Sequence, residues 1–263
     1  MKPRLDVGGQ MNRLKQLWRD GRCALGAVAT IPSVQTVQVM ARAGLDWILI
    51  DMEHGPIDAN AAHAMIAATA GTPLVPIVRV PSTAAWHAKV PLDSGAMGIV
   101  FPMMTRREDA EVAVSAVRYP PDGERGWGPF YAPLRWDVPM REYLDRANDE
   151  ILAIGIVEHI DAVSNVAEIV STPGLDMVII GSGDLAMSMG LGGRADDPAA
   201  LEAIRRLESA IEPSPILLGG VAQTADQANA MIGRGYNALL VGFDWTLLQR
   251  GIASAISEIR AAG

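Results

Sequence analysis

Short runs of Ile, Val, Leu and Ala recur along the chain, separated by longer stretches in which apolar residues return every three or four positions. The runs predict strands at 24–29, 47–51, 74–79, 98–101, 151–157, 177–180, 216–218 and 238–241. Short and apolar on both faces, they read as parallel strands buried on both sides. The periodic stretches predict helices at 33–43 (with Ser33 as N-cap), 58–70, 106–117, 161–170, 198–211, 224–234 and 244–260. Gly44, Gly71, Gly174 and Gly235 stand where helix C-caps fall. Eight strand–helix units in one chain predict a (β/α)8 TIM barrel with an extra N-terminal helix, a single domain over residues 1–263. The rival, an open doubly wound sheet, would usually need fewer units at this length.

One segment breaks the rhythm. Residues 118–140 (RYPPDGERGWGPFYAPLRWDVPM) are dense in Pro and Gly and hold five of the chain's 13 aromatic residues. A loop this long in a compact domain is usually functional. It reads as a self-packed surface loop, a lid or a subunit contact, and exposed aromatics favour the contact.

Composition narrows the class. With 263 residues, 49% hydrophobic and 20% charged, the chain has material for a large core and no compositional case for disorder. A net charge of −8 argues against a nucleic-acid or anionic-membrane surface, which needs a basic stripe. Cys23 is the only cysteine, which excludes internal disulfides and a cysteine-based zinc cluster. Residues 1–10 carry no apolar signal-peptide core, and the most lipid-like stretch, 61–78, is interrupted by His63, Gly71, Pro73 and Pro76. A cytoplasmic protein is the expectation.

In a barrel, residues just past the strand ends share one mouth. That register brings together Asp51, Glu53 and His54 after strand two, Arg79 at the end of strand three, Glu158 after strand five and Asp184 after strand six. Asp51 lies three residues before His54, close enough to accept a ring N–H and make the imidazole a competent base; the bland reading is a solvated turn with a capping Asp. Arg79 lies within an apolar strand and must face the mouth or meet an acid, and its fork suits a substrate carboxylate or an internal ion pair. Carboxylates at adjacent strand ends, like Glu158 and Asp184, need a proton or a cation between them if they meet. Two oxygen ligands with open positions suit Mg²⁺ or Mn²⁺ rather than structural zinc, unless both are solvated or capping acids. His63, His87 and His159 read as structural. Gly183 with residues 185–190, and the glycines at 219–220 and 242, also leave a phosphate cradle open.

These stretches resemble the HpcH/HpaI aldolase family of metal-dependent 2-keto-acid aldolases. The matching segments are DMEHGPID (51–58), PIVRVPS (76–82), LDSGAMGIVFP (92–102), RYPPDGERGWG (118–128), VEHIDAVSNVAEI (157–169) and GSGDLAMSMGLGG (181–193). The resemblance implies a modified TIM barrel, often hexameric, that cleaves 4-hydroxy-2-oxo acids into pyruvate or hydroxypyruvate and an aldehyde through a metal-bound enolate. Carried over, Glu158 and Asp184 would hold the divalent metal (Mg²⁺, Mn²⁺ or Co²⁺), Arg79 would steady the keto oxygen, and His54, oriented by Asp51, would move protons. Asp93 and Arg125 would reach a neighbouring subunit's site in a homo-oligomer, a hexamer or trimer. The family often carries Gln where this chain has Ile156, and Gly-Pro where it has Gly181-Ser182. Both positions line the pyruvate pocket and bear on donor preference; Gly183 and Val221 complete the expected substrate-binding set. The related alternative is a citrate-lyase-β-like lyase acting on an acyl-CoA or phosphorylated substrate.

Lysine usage decides between aldolase mechanisms. A Schiff-base aldolase needs a lysine amine at the mouth. The only lysines are Lys2 and Lys15, before the first strand, and Lys89, in a helical pattern after strand three. Enolate stabilisation then falls to a cation.

Overall fold

The computed structural model describes residues 12–261. Eight parallel strands close into a barrel in sequence order: β1 (Ala24–Ala29), β2 (Trp47–Asp51), β3 (Val75–Arg79), β4 (Gly98–Phe101), β5 (Leu152–Val157), β6 (Met177–Ile180), β7 (Leu217–Val221) and β8 (Ala238–Phe243), with β1 pairing β8. The helices are α1 (Arg13–Arg19), α2 (Val34–Arg42), α3 (Ala59–Ala68), α4 (Lys89–Asp93), α5 (Arg107–Val117), α6 (Ala132–Trp136), α7 (Met140–Glu150), α8 (Ile160–Val170), α9 (Ser182–Ser188), α10 (Pro198–Ile211), α11 (Ala225–Gly233) and α12 (Asp244–Ala261). Ser33 caps α2 by accepting from the Thr36 N–H at 3.2 Å, and Asp58 caps α3 from Ala61 at 2.8 Å. Gly44 and Gly235 adopt positive φ directly after the C-caps of α2 and α11, whereas Gly71 and Gly174, also at positive φ, lie two and three residues beyond the C-caps of α3 and α8.

Two apolar layers form. Val28, Leu49, Ile77, Val100, Ile154, Met177 and Leu240 fill the barrel; Ile66, Phe101, Val117, Ile169 and Leu207 belong to the layer between strands and helices. The N-terminal helix closes the bottom. Leu14 and Leu17 of α1 pack with Trp47 and Leu152, and the buried Asn12 side chain donates to the Met97 and Glu150 carbonyls at 3.2 and 2.8 Å. Truncating either leucine to Ala costs about 2–5 kcal/mol. Trp47 fits because Gly26 opposite has no side chain: a Cβ there would lie 2.5 Å from the indole.

Three differences from the sequence reading have local causes. The segment at 118–140 is not one long loop, since α6 forms within it and α7 follows. In α7 only Tyr143, Ala147 and Glu150 are buried, a stripe too thin to register against a polar background. A further helix, α9, begins directly after β6 and carries Asp184 in its first turn. The last helix, α12, begins at the barrel but is exposed from residue 248 onward, with Leu248, Ile252, Ile256 and Ile259 uncovered. No helix among the described residues is long and apolar enough to cross a membrane.

Candidate active site

The register Asp51↔Arg79 at the ends of β2 and β3 sets an acid beside an arginine. Asp51 is fully buried, accepts from Arg79 Nε at 2.9 Å and Nη2 at 2.5 Å, and takes the backbone N–H groups of Glu53 and His54 at 3.0 and 3.3 Å. Arg79 Nη1 lies 3.2 Å from Glu53 Oε2. Burial opposes the guanidinium charge, but the hydrogen bonds and charge of Asp51, with Glu53 and Glu158 beyond, raise the pKa of Arg79 and keep it cationic. The Glu53 carboxyl is raised, by burial first and by Asp51 and Asp184, against the pull of Arg79 and His54.

This corrects the expected Asp51–His54 pair. Asp51 receives the backbone N–H of His54, not its ring, and both carboxylate oxygens serve Arg79. The turn points its N–H groups back at the strand-end acid, which throws the imidazole outward. The His54 side chain is 62% exposed, and its Nε2 lies 3.8 Å from Glu53 Oε2. Asp51 therefore positions Arg79, and Glu53 is the acid nearest the histidine. The sequence placed Glu53 at the mouth without giving it a partner; its spacing from Arg79 is a register effect.

Across the mouth, Glu158 follows β5 and is 4% exposed. Its Oε1 accepts the Met103 N–H at 2.7 Å, and Met103 adopts φ +54°, the left-handed region, to present that donor. Gly181 leaves room for the carboxylate, since a Cβ there would stand 2.9 Å from Oε2. Burial, reinforced by Glu53 and Asp184 and opposed by Met103 and Arg79, pushes the Glu158 carboxyl up to about 7. Asp184 is exposed, and its side chain makes neither a hydrogen bond nor an ion pair among the described residues.

Arg79, Ile156, Glu158, Ser182, Gly183, Asp184 and Val221 line one cavity of about 280 Å³ over the barrel core. It has room for a three-carbon keto acid. His54 does not line it. Among the described residues no group of three or more His, Cys, Asp or Glu forms a closed metal cage. The donor set is two carboxylates without an ion-paired cation, one of them buried, which fits a hard dication that keeps positions for water and substrate.

Asp93, at the end of α4, and Arg125, in the loop before α6, lie away from this cavity and pair at 3.1 Å. Arg125 does not reach outward as expected. Its side chain is 1% exposed, lies 4.4 Å over the Tyr119 ring and donates to the Tyr143 hydroxyl at 2.8 Å. It anchors the C-terminal end of α4, while Asp93 stays partly exposed. The other histidines have structural partners: His63 bonds Ser94 at 3.0 Å, His87 bonds Ser82 at 2.9 Å, and His159 caps α8. Lys15 is beside Asp176 and Lys89 opens α4; Lys2 lies outside the described residues.

A buried arginine shares a cavity with two acids that have no ion-pair partner among the described residues, at the C-terminal mouth of a (β/α)8 barrel, an arrangement suited to the class of barrel enzymes that hold a small anionic substrate against a cation. Comparison narrows it. The model of the HpcH/HpaI aldolase/citrate lyase family matches residues 31–250. A hydroxypyruvate/pyruvate aldolase of Paraburkholderia phytofirmans is 31% identical over 95% of this chain and 98% of its own length. A 4-hydroxy-2-oxo-heptane-1,7-dioate aldolase of Salmonella arizonae is 36% identical over 95% of each. The crystal structure of an HpcH/HpaI aldolase/citrate lyase family protein from Burkholderia cenocepacia superposes with a TM-score of 0.88 at 34% identity, covering 95% of this chain and 99% of that one. The chain belongs to the HpcH/HpaI aldolase/citrate lyase family and is a carbon–carbon lyase.

Proposed function

We propose that this protein is a class II aldolase, dependent on a divalent metal, that reversibly cleaves 4-hydroxy-2-oxo acids into pyruvate or hydroxypyruvate and an aldehyde. The observation that carries this reading is the pair Glu158 and Asp184, lining one cavity with Arg79 and having no ion-pair partner among the described residues. These two residues would hold the ion. Oxygen donors favour Mg²⁺ or Mn²⁺, with Co²⁺ as a further option. When bound, the ion supplies Lewis-acid stabilisation of the negative charge that develops on the keto oxygen.

The chain's own residues account for the rest. Arg79, held rigid by Asp51 and Glu53, turns its remaining N–H groups to the keto acid, so its orientation is set before substrate arrives. Cleavage removes the proton from the C4 hydroxyl. The C3–C4 bond electrons become the enolate, the aldehyde departs, and a proton returned to C3 gives the methyl group of pyruvate or the hydroxymethyl group of hydroxypyruvate. His54, with Glu53 at 3.8 Å, carries the proton on the aldehyde side. Ile156, Ser182, Gly183 and Val221 shape the donor pocket, and Ile156 offers an apolar wall to the donor.

The decisive measurement is exchange of the pyruvate methyl protons in D₂O, followed by NMR. EDTA-treated protein should not exchange, and Mg²⁺ or Mn²⁺ should restore it. Borohydride with pyruvate should leave the protein at its unmodified mass; a covalent adduct would overturn the mechanism.

Copies of this chain assemble in the same proposal. Residues Trp245, Leu248, Ile252, Ile256 and Ile259 expose an apolar stripe on α12, while an apolar groove lined by Leu25, Ala222, Ala228, Ile232 and Val241 lies uncovered beside β8. The α12 stripe of a second copy suits that groove, and the exposed Trp127, Phe130 and Leu134 of the aromatic loop suit further contacts around Asp93. Light scattering should give a trimer or hexamer; a monomer mass would refute this.

A further inference from the structure

The barrel closes with a shift of register. Gly26 pairs with Leu240 and Val28 with Phe243, so Ala27 of β1 stands against both Val241 and Gly242 of β8. Gly242, at φ +149°, supplies the backbone conformation that this bulge needs. Leu240 faces the barrel core, and plain alternation from it would turn Phe243 away. The extra residue brings Phe243 into the mouth cavity instead and sends the next residue, Asp244, across the seam to the end of β1.

Asp244 is 5% exposed and uses each carboxylate oxygen twice. Oδ2 accepts the Thr30 and Ile31 N–H groups at 2.9 and 2.8 Å, and Oδ1 accepts the Thr30 hydroxyl at 2.8 Å and the Trp245 N–H at 2.9 Å. Three of these bonds go to the loop after β1, at the opposite end of the chain. Bonds to an ionised carboxylate are roughly twice as strong as neutral ones, so the loop is firmly pinned.

The pinned loop backs the turn that carries His54. A Cβ on Gly55 would stand 3.2 Å from the Thr30 carbonyl oxygen and 3.3 Å from its Cα, so turn and loop meet backbone to backbone. On its other side the turn is fixed by the Asp51 carboxylate, which takes the N–H groups of Glu53 and His54. The His54 ring is mostly exposed, with Glu53 3.8 Å away, and inherits its place over the mouth from that backbone.

We infer that Asp244 is a positioning residue for the reaction: by pinning Thr30 and Ile31 it fixes the surface on which the Glu53–Gly55 turn rests, and so aims His54. The inference rests on the aldolase reading above and on the role it gives His54, and adds a residue from the far side of the barrel seam.

The test measures cleavage of 4-hydroxy-2-oxopentanoate, read by release of pyruvate, beside methyl exchange of pyruvate, in the full chain loaded with Mg²⁺. Asp244→Asn keeps the shape of the side chain but leaves one oxygen to accept. It should lower kcat for cleavage about tenfold, with KM and methyl exchange close to wild type, because exchange draws on Arg79, Glu158 and Asp184. In a His54→Gln background the same substitution should cost nothing further, since its effect passes through the imidazole. Thr30→Val, which deletes only the hydroxyl donor, should give a smaller fall of the same kind, and it carries the test if Asp244→Asn does not fold. A lower melting temperature with unchanged kcat, an equal fall in cleavage and exchange, or the same fold loss with and without His54 overturns the role of Asp244 and leaves the aldolase reading standing. A wild type that neither exchanges nor cleaves overturns that reading and this inference with it.

Discussion

The two halves of the barrel mouth are built on opposite electrostatic plans. On the β2–β3 side, Arg79 answers two carboxylates, Asp51 and Glu53, and the charges are matched within the chain. On the β5–β6 side, Glu158 and Asp184 share a cavity, and neither lies within ion-pair distance of a cationic side chain among the described residues. The first half is charge-matched by folding alone, and in the proposed function the second is completed by the bound ion. A group to be aimed at substrate must be fixed in advance, whereas a group that binds an exchangeable ion must be left incomplete.

The comparison can be broken first on its closed side. Replacing Asp51 by Ala strands a buried guanidinium and should lower stability by about 3–5 kcal/mol in urea unfolding; a loss below about 1 kcal/mol would mean that the pair is not the organising contact. On the open side, Glu158→Gln and Asp184→Asn should each cut metal-dependent methyl exchange by about 10²–10³-fold while leaving the fold intact by circular dichroism. Exchange surviving in both would remove the ligand assignment.

Titration sharpens the contrast further. With its carboxyl raised to about 7 in the folded protein, Glu158 binds its proton more tightly folded than unfolded. Stability of the metal-free protein from this group is fully present below the unfolded carboxylate value and is lost as pH rises through about 7, a change of about 3 kcal/mol. Thermal melts from pH 5 to 8 should show this slope in EDTA, and Glu158→Gln should flatten it. The smallest effect concerns Met103, whose left-handed backbone offers its N–H to Glu158. Met103→Gly relieves that strain against a loss of chain entropy, and should stabilise by no more than about 1 kcal/mol; a large loss would show that the side chain matters more than the turn.

Much of this was legible in the chain. Strand ends at Asp51 and Arg79 fall where the apolar runs stop, and Ser33, Asp58 and Gly44 mark helix boundaries by their own chemistry. Such signals are local and survive without knowledge of neighbours. The partner of Asp51 was not legible, because the turn after β2 decides whether His54 offers it a ring or a backbone N–H. Neither was α7, whose three buried residues answer to contacts from elsewhere in the fold.

By itself, then, the order of residues determined a closed eight-unit barrel and the set of charged side chains delivered to its mouth, since period and strand-end punctuation are properties of adjacent positions. Only the tertiary structure decided which charges cancel and which stay open, how a second cavity adjoins the mouth cavity at Ser182, and that α12 stays exposed from residue 248 onward. Those outcomes depend on strand register and on side-chain direction across dozens of residues, where a shift of one position exchanges one partner for another.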